Sequence, residues 1–164
     1  RDPLSVHLPE RYVTLANQIY DSLKMPVSIV TNLDDLLSLP EYSQMHSVKF
    51  PELAYAYIYV NSIGHEADRE LRTRMRALFL EKTEVIYLFL DMVDPAIVWL
   101  TEKCRQMGFI FCGILPFGTT TGHDALIMQC LNNIAIDFDS ITLFSDLAQD
   151  LLANIKTEWR EING

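Results

Sequence analysis

A turn before an amphipathic helix, at residues 61–69, carries the features of an anion-binding site. Its sequence is NSIGHEADR, in which Gly64 is the single glycine. Exposed main-chain amides at a helix N-terminus attract an anion, and glycine lets that anion come close. Glu66 and Asp68 oppose binding, because they satisfy the helix dipole from within and repel phosphate over a Debye length of about 8 Å.

Arginines recur on one face of the helix that follows this turn, at positions 69, 72 and 76. Residues three and four apart are neighbours on a helix surface. Two interpretations stay open. Either the arginines offset the acids and help to hold an anion, or they form a solvated face that pairs with Glu66 and Glu70.

Side chains suited to proton transfer lie near the predicted strand ends. Glu52, His65 and Asp91 are formal candidates for a general base that reaches its substrate through water. Each is also typical of a surface or capping residue. His46 and His123 lack a second ligand at metal-binding spacing, so the sequence predicts no metal site.

Charge and composition restrict the partners. The chain has 164 residues, enough for one domain, and a formal charge of −9. The electrostatic field of this negative charge repels phosphate backbones, so we expect no nucleic-acid partner.

The apolar stretches are shorter than the 18 or so residues of a membrane helix, and no signal peptide is recognised. The sequence begins Arg-Asp-Pro, which we interpret as a domain cut from a longer chain.

The number and spacing of the cysteines indicate the redox state of the compartment. There are three, Cys104, Cys112 and Cys130, and they form no C-x-x-C pair. All lie in apolar surroundings, where free Cys behaves as a small hydrophobe. An odd count without paired spacing is typical of a reducing environment, so we expect a cytoplasmic protein.

Hydrophobic periodicity predicts the elements that position these residues. The predicted helices cover residues 10–24, 66–81, 95–107 and 145–161. The predicted strands cover 27–30, 44–50, 53–61, 85–92, 109–115, 125–131 and 141–143. Strand 85–92 is apolar on both faces, which is typical of a central strand. Two β-α-β crossovers after a hairpin predict an α/β fold with a mixed sheet and helices on both faces.

A tyrosine stripe marks the second strand of the predicted hairpin. Tyr55, Tyr57 and Tyr59 alternate with small and apolar residues, so they share one face of the strand. Such a stripe can stack on nucleic-acid bases. Because the chain is acidic, we favour the other interpretation, in which these tyrosines cover an interface between a helix and the sheet.

Residues 10–132 resemble the GNAT (acyl-CoA N-acyltransferase) family, with a further strand and helix at 140–161. The best local match is a buried strand, then a helix ending Met107-Gly108-Phe109, then the strand sequence IFCG at 110–113. The resemblance implies a three-layer αβα fold for a single domain, 1–164, with acetyl-CoA as a possible cofactor. In the family, the strands matching 53–61 and 85–92 splay apart to admit the pantetheine arm.

The resemblance also assigns site residues. Family members hold the CoA pyrophosphate on a loop of the form Q/R-x-x-G-x-G/A, for which this chain offers one glycine. The matching candidates for cofactor binding are Ile63, Gly64, His65 and Arg69. Many members place a tyrosine general acid four residues before the glycine of G-F, and Cys104 stands there. Cys104 and Glu52 are therefore the weak catalytic candidates, although Cys104 also suits the packed face of its helix.

A narrower resemblance concerns three stretches: HLPERYVTLANQIYDSLKMP, DPAIVWLTEKCRQMGFIFCGILP and DFDSITLFSDLAQDLLANIK. They are similar to a GNAT-like domain that follows a histidine-kinase-like ATPase in anti-sigma-factor-type serine kinases. This resemblance implies an N-terminal kinase-type domain in the same chain as partner, with any kinase activity outside the given residues.

Three functions follow as hypotheses. The first is a sensory or regulatory GNAT-like domain of such a multidomain protein, with a degenerate acyl-CoA site. The second is an active acetyl-CoA-dependent N-acetyltransferase with an atypical pyrophosphate loop. The third is a structural module that forms a homodimer, because the apolar stripe of the final helix must bury on this domain or on a partner.

Overall fold

The computed structural model describes residues 2–32, 38–132, 141 and 145–163. The helices are α1 (Val13–Ser22), α2 (Ala67–Leu80), α3 (Ile97–Gln106) and α4 (Asp146–Asn163). The strands are β1 (Leu4–His7), β2 (Val27–Val30), β3 (Gln44–Phe50), β4 (Tyr55–Ser62), β5 (Val85–Asp91), β6 (Ile110–Leu115) and β7 (Ala125–Leu131). The periodicity therefore located all four helices, with ends that differ by a few residues.

The main sheet has five strands in the order β3-β4-β5-β7-β6. Strands β4 and β5 are parallel, and the other neighbours are antiparallel. The predicted mixed α/β class is confirmed. A hairpin, a helical crossover to a parallel strand, a second helix and a final hairpin follow one another, which is the order that the resemblance implies.

The helices cover one face of this sheet. Both crossovers, through α2 and α3, advance in the same direction across the sheet, and right-handed connections then place both helices on one side. Helix α1 packs into the same core through Leu15, Ala16 and Ile19, and Arg11, just before α1, pairs with Glu102 of α3 at 3.5 Å. The core is shared with alternate residues of β4, namely Ala56, Ile58 and Val60.

The opposite face differs from the expectation. Tyr55, Tyr57 and Tyr59 are half-buried there, and they form an aromatic cluster with Tyr87 and Phe89. No described helix lies over them, so the interpretation that they cover a helix–sheet interface is wrong within these residues.

A short N-terminal strand was not predicted. β1 pairs in parallel with β2, and the His7 amide donates to the Met92 carbonyl at 2.7 Å. Val6 is fully buried in the shared core. β1 has only four residues, LSVH, of which one is fully buried, so its pattern is weak and the tertiary contacts reveal it.

A glycine and a serine stand at two helix ends in their usual roles. Gly108 has a φ of 99°, as expected for a glycine that ends α3. The Ser145 hydroxyl accepts from the Ala148 amide at 3.0 Å, so it caps α4. The predicted strand at 141–143 falls mainly outside the described residues.

Candidate functional site

The turn at 63–66 connects the carboxyl end of β4 to α2, and residues 40–43 lie against it. The amides of residues 63, 64 and 65 each donate to a group of this same chain. Their acceptors are the Asp94 carboxylate at 3.3 Å, the Ser43 hydroxyl at 2.7 Å and the Pro40 carbonyl at 3.0 Å. The donors that an incoming anion would need are therefore engaged.

Gly64 allows a close approach, but the approaching group is the backbone of this chain. A Cβ placed on Gly64 would lie 2.5 Å from the Tyr42 carbonyl carbon and 2.6 Å from the Ser43 nitrogen. Both distances are well inside van der Waals contact. The single glycine of the turn is explained by the packing of residues 42 and 43.

Glu66 binds this same segment. Its carboxylate accepts from the Ser43 amide at 2.5 and 3.1 Å and from the Ser43 hydroxyl at 3.4 Å. Burial acts to raise the pKa of Glu66, but the hydrogen bonds from Ser43 outweigh it and lower the pKa below its usual value. The chain thus supplies its own carboxylate at the N-terminus of α2, where an anion is favoured.

The surface beside this turn is acidic. A depression of about 500 Å³ is lined by Glu41, Tyr42, His65, Glu66, Asp68 and Arg69. Its three carboxylates outnumber the one arginine. These residues do not fit the pyrophosphate of CoA, because the amides are engaged and the surrounding charge repels phosphate.

The arginine row does not change this balance. Arg69, Arg72 and Arg76 are all exposed. Glu70 pairs instead with Arg74, at 2.9 Å, and Arg74 also donates to the Met45 carbonyl. The predicted pairing with Glu70 thus belongs to a different arginine, Arg74.

The two parallel strands also stay together. The β4–β5 ladder runs from Tyr55–Val85 to Val60–Leu90, one residue before the end of β5. The family's splayed opening is absent along these pairs, and β4 continues to Ser62 beyond them.

The weak catalytic candidates are not brought together. Cys104 is fully buried in the core, and burial raises the pKa of its thiol well above the usual value. Glu52 is exposed in the turn before β4, whereas Gly64 follows β4. Eight strand residues separate the two ends, roughly 25 Å at about 3.3 Å each.

A pair that sequence reasoning did not assemble lies at the carboxyl end of β5. His123 Nδ1 and Asp91 Oδ2 are 2.8 Å apart, and the Asp91 carboxylate also accepts from the Val93 amide at 2.9 Å. Asp91 is 9 % exposed, while the His123 side chain is 42 % exposed. The β5–β7 pairing was the available signal, because it places the residues before Ala125 beside Asp91.

His123 is held in place from its backbone. Its amide donates to the Thr119 hydroxyl at 2.8 Å, and the Thr121 hydroxyl lies 3.2 Å from Nδ1. Nε2 has no hydrogen-bond partner within the described residues. A carboxylate that accepts from Nδ1–H leaves Nε2 as the basic nitrogen, which is the orienting half of a catalytic triad.

Polar groups from β4 lie nearby. Asn61, near the end of β4, accepts from the Thr120 hydroxyl at 2.9 Å and bonds the His46 ring at 3.2 Å. The carboxyl ends of parallel strands are where open α/β sheets bind ligands. Among the described residues, no group of three metal-ligating side chains could hold an ion.

Comparisons with known proteins give a limited result. No family model matches the chain, and no curated protein matches it. A chain of the solved structure "Crystal structure of the NatC complex bound to Gag peptide and CoA" is similar at 16% identity, with a TM-score of 0.42. The similarity covers 62% of this chain and 69% of that chain. Within the described residues, no helix is both long and apolar enough to cross a membrane.

Proposed function

We propose that this chain is a non-catalytic, GNAT-like regulatory domain whose acyl-CoA site is filled by its own residues. The observation that carries the proposal is the engagement of the amides at 63–65 by the segment 40–43 and by Asp94. A diphosphate would have to displace these partners before it could bind. Each lost bond costs about 0.5–1.5 kcal/mol, and the nearby acids add repulsion.

The wider context of this role rests on sequence alone. Three stretches of the chain resemble the GNAT-like domain that follows a histidine-kinase-like ATPase in anti-sigma-factor-type serine kinases. On that resemblance, the partner is an N-terminal kinase-type domain of the same cytoplasmic protein. A domain that keeps the family's order of elements while its own residues engage the turn amides is consistent with such a sensory role.

Titration calorimetry with acetyl-CoA tests the proposal. We expect no heat of binding with acetyl-CoA at up to 1 mM, on the order of the upper end of enzyme KM values. The double variant Ser43→Ala, Glu66→Ala is the matched comparison. It removes the Ser43 hydroxyl that accepts from the Gly64 amide and the Glu66 carboxylate that accepts from Ser43. Micromolar binding by the natural sequence, with the amides at 63–66 protected from exchange, would contradict the proposal.

A second candidate function is N-acetyl transfer, and the Asp91–His123 pair favours it. With Nδ1 held by Asp91, Nε2 could accept a proton from an amine, directly or through water. Release of free CoA from acetyl-CoA in the presence of amines would reveal this activity. His123→Gln should then lower kcat by about 10²-fold or more. Absence of turnover with a panel of amines would remove this candidate.

A further inference from the structure

A second depression in the surface lies between the C-terminal half of α2 and the end of α3, and we call it the α2–α3 groove. Its volume is about 280 Å³. The residues that α2 contributes are spaced i, i+3, i+4 and i+7, so they form one stripe along the helix. The groove is lined by Arg72, Met75, Arg76, Phe79, Gln106 and Met107. It shares none of these residues with the depression beside the turn at 63–66.

The floor of the groove is apolar and continuous with the core. Met75 is 7 % exposed, and Phe79 and Met107 are partly buried against the core. Leu80 follows Arg76 by one turn on the same face of α2, and it is 86 % exposed. The volume is below the roughly 300–1,000 Å³ of pockets that enclose a small molecule. The groove is therefore sized for a large apolar side chain of a partner, and Leu80 extends the apolar contact beyond it.

The rim of the groove is positively charged. Arg72 and Arg76 are exposed, and neither guanidinium has an ion pair or a hydrogen bond within the residues that the structure describes. Among the same residues, no carboxylate lines the groove, whereas three carboxylates line the depression beside the turn. The chain has 22 acidic and 13 basic residues, so this surface has the opposite sign to the molecule as a whole. An acidic partner is complementary to it.

We propose that the α2–α3 groove binds an acidic amphipathic helix of a partner protein. Side chains four apart on a helix lie about 5–6 Å apart at Cβ, so glutamates at i and i+4 of the partner match the spacing of Arg72 and Arg76. Each guanidinium can hold a carboxylate through two hydrogen bonds. Apolar residues at i+3 and i+7 of the partner then meet the floor.

Two other features of the chain bear on this contact. A second copy is a poor occupant, because two chains of charge −9 repel each other. The groove and the turn at 63–66 are separate surfaces, so the contact does not depend on whether the domain binds CoA.

Panning a phage-displayed library of random helical peptides against the purified chain tests the proposal. We expect the enriched peptides to have two acidic residues one helical turn apart, flanked by large apolar residues. Enrichment of peptides without this pattern, or no enrichment, would overturn the proposal.

Charge reversal locates the contact, with fluorescence anisotropy of the most enriched peptide as the measurement. Arg72→Glu and Arg76→Glu should each weaken binding about fivefold, because an attraction becomes a repulsion. Both variants should fold, since the positions are exposed and glutamate favours a helix. Arg69→Glu is the matched control in the same helix, and it should change binding less than about twofold, because Arg69 lines the other depression. Equal effects at all three positions would overturn the proposal.

Gln106 allows a test from the opposite wall of the groove. It is exposed and uncharged, so either sign of charge can be introduced there. Gln106→Lys should tighten binding of the same peptide and Gln106→Glu should weaken it, each by about 2–5-fold. Changes in the same direction, or no change in either variant, would show that the peptide does not bind in the groove.

Two measurements separate a groove for a helix from a simple anion site. A peptide in which alanine replaces the large apolar residues should not bind, because the floor then loses its apolar partner. A large excess of inorganic phosphate should not displace the natural peptide beyond the effect of an equal ionic strength of sodium chloride. Binding of the alanine peptide, or specific displacement by phosphate, would overturn the proposal in favour of an anion site.

Discussion

Two glutamates of this domain perform the same task in different surroundings. Glu66 and Glu158 each accept a backbone amide from another segment and so fix that segment in place. Glu66 is half-buried and its donors come from one residue, Ser43. Glu158 is almost fully buried and gathers a tyrosine, an arginine and a main-chain amide.

The difference in burial between Glu66 and Glu158 indicates what each contact stabilises. A carboxylate at a helix N-terminus needs few hydrogen-bond donors, because water and the helix dipole also stabilise its charge. A buried carboxylate depends on all its donors, because nothing else compensates for lost hydration. We therefore expect the first contact to control access to the turn and the second to control the stability of the fold.

The largest effect is expected for Glu158→Ala. Removing it leaves Arg105 and the Phe111 amide without their buried acceptor, so the free energy of unfolding should fall by about 3–5 kcal/mol. Glu161→Ala should change it by less than about 1 kcal/mol, because exposed pairs contribute little. Urea unfolding, at a concentration where the variants are monomeric, measures both. Equal losses would show that the two contacts do not differ.

Gly64→Ala should have the next largest effect. Its Cβ would overlap the backbone of residues 42 and 43, so the free energy of unfolding should fall by about 1–3 kcal/mol. Gly113→Ala is the control, since its Cβ enters open space. If Gly64→Ala were as stable as this control, the close packing of the turn would be wrong.

Glu66→Gln should lower the free energy of unfolding by a smaller amount, about 1 kcal/mol, because a neutral amide oxygen accepts hydrogen bonds from Ser43 more weakly than a carboxylate. Asp68→Asn lies in the same first turn of α2, so it loses the same dipole interaction but none of the Ser43 bonds. Thermal unfolding of both variants separates the two contributions. A greater loss for Asp68→Asn would contradict the assignment to Ser43.

The smallest effect should be a pH dependence of hydrogen exchange that is confined to the amides around Glu66. The pKa of Glu66 is lowered in the folded state, so its stabilisation is present above the unfolded value of 4.5 and is lost as pH falls through the folded value. The Ser43 and Gly64 amides should then exchange faster at acid pH. Glu66→Gln should flatten this dependence, and an unchanged profile would remove Glu66 as its cause.

The sequence and the structure agree on the α-helices and on the strands of the main sheet, whereas β1 was found only in the structure. Periodicity located the α-helices and main-sheet strands of the described residues, because apolar residues must recur on the buried face of any helix or strand. Glu66 and Asp68 likewise predicted a helix start that supplies its own negative charge, and both lie at the N-terminus of α2. These are local properties, which a chain carries within a few residues.

Long-range contacts decided the rest. Ser43 reaches the turn at Gly64 from 21 residues away, His123 meets Asp91 across 32 residues, and Glu158 meets Phe111 across 47. No local pattern encodes such pairs, since each depends on strand register and on how helices pack. The sequence by itself determined the α-helices and the main-sheet strands and how they follow one another. Only the tertiary structure decided which groups accept hydrogen bonds from the amides of the turn, and that Glu158 accepts from the Phe111 amide at the edge of the sheet. The reason is that a buried donor must pair with an acceptor that the fold brings within reach.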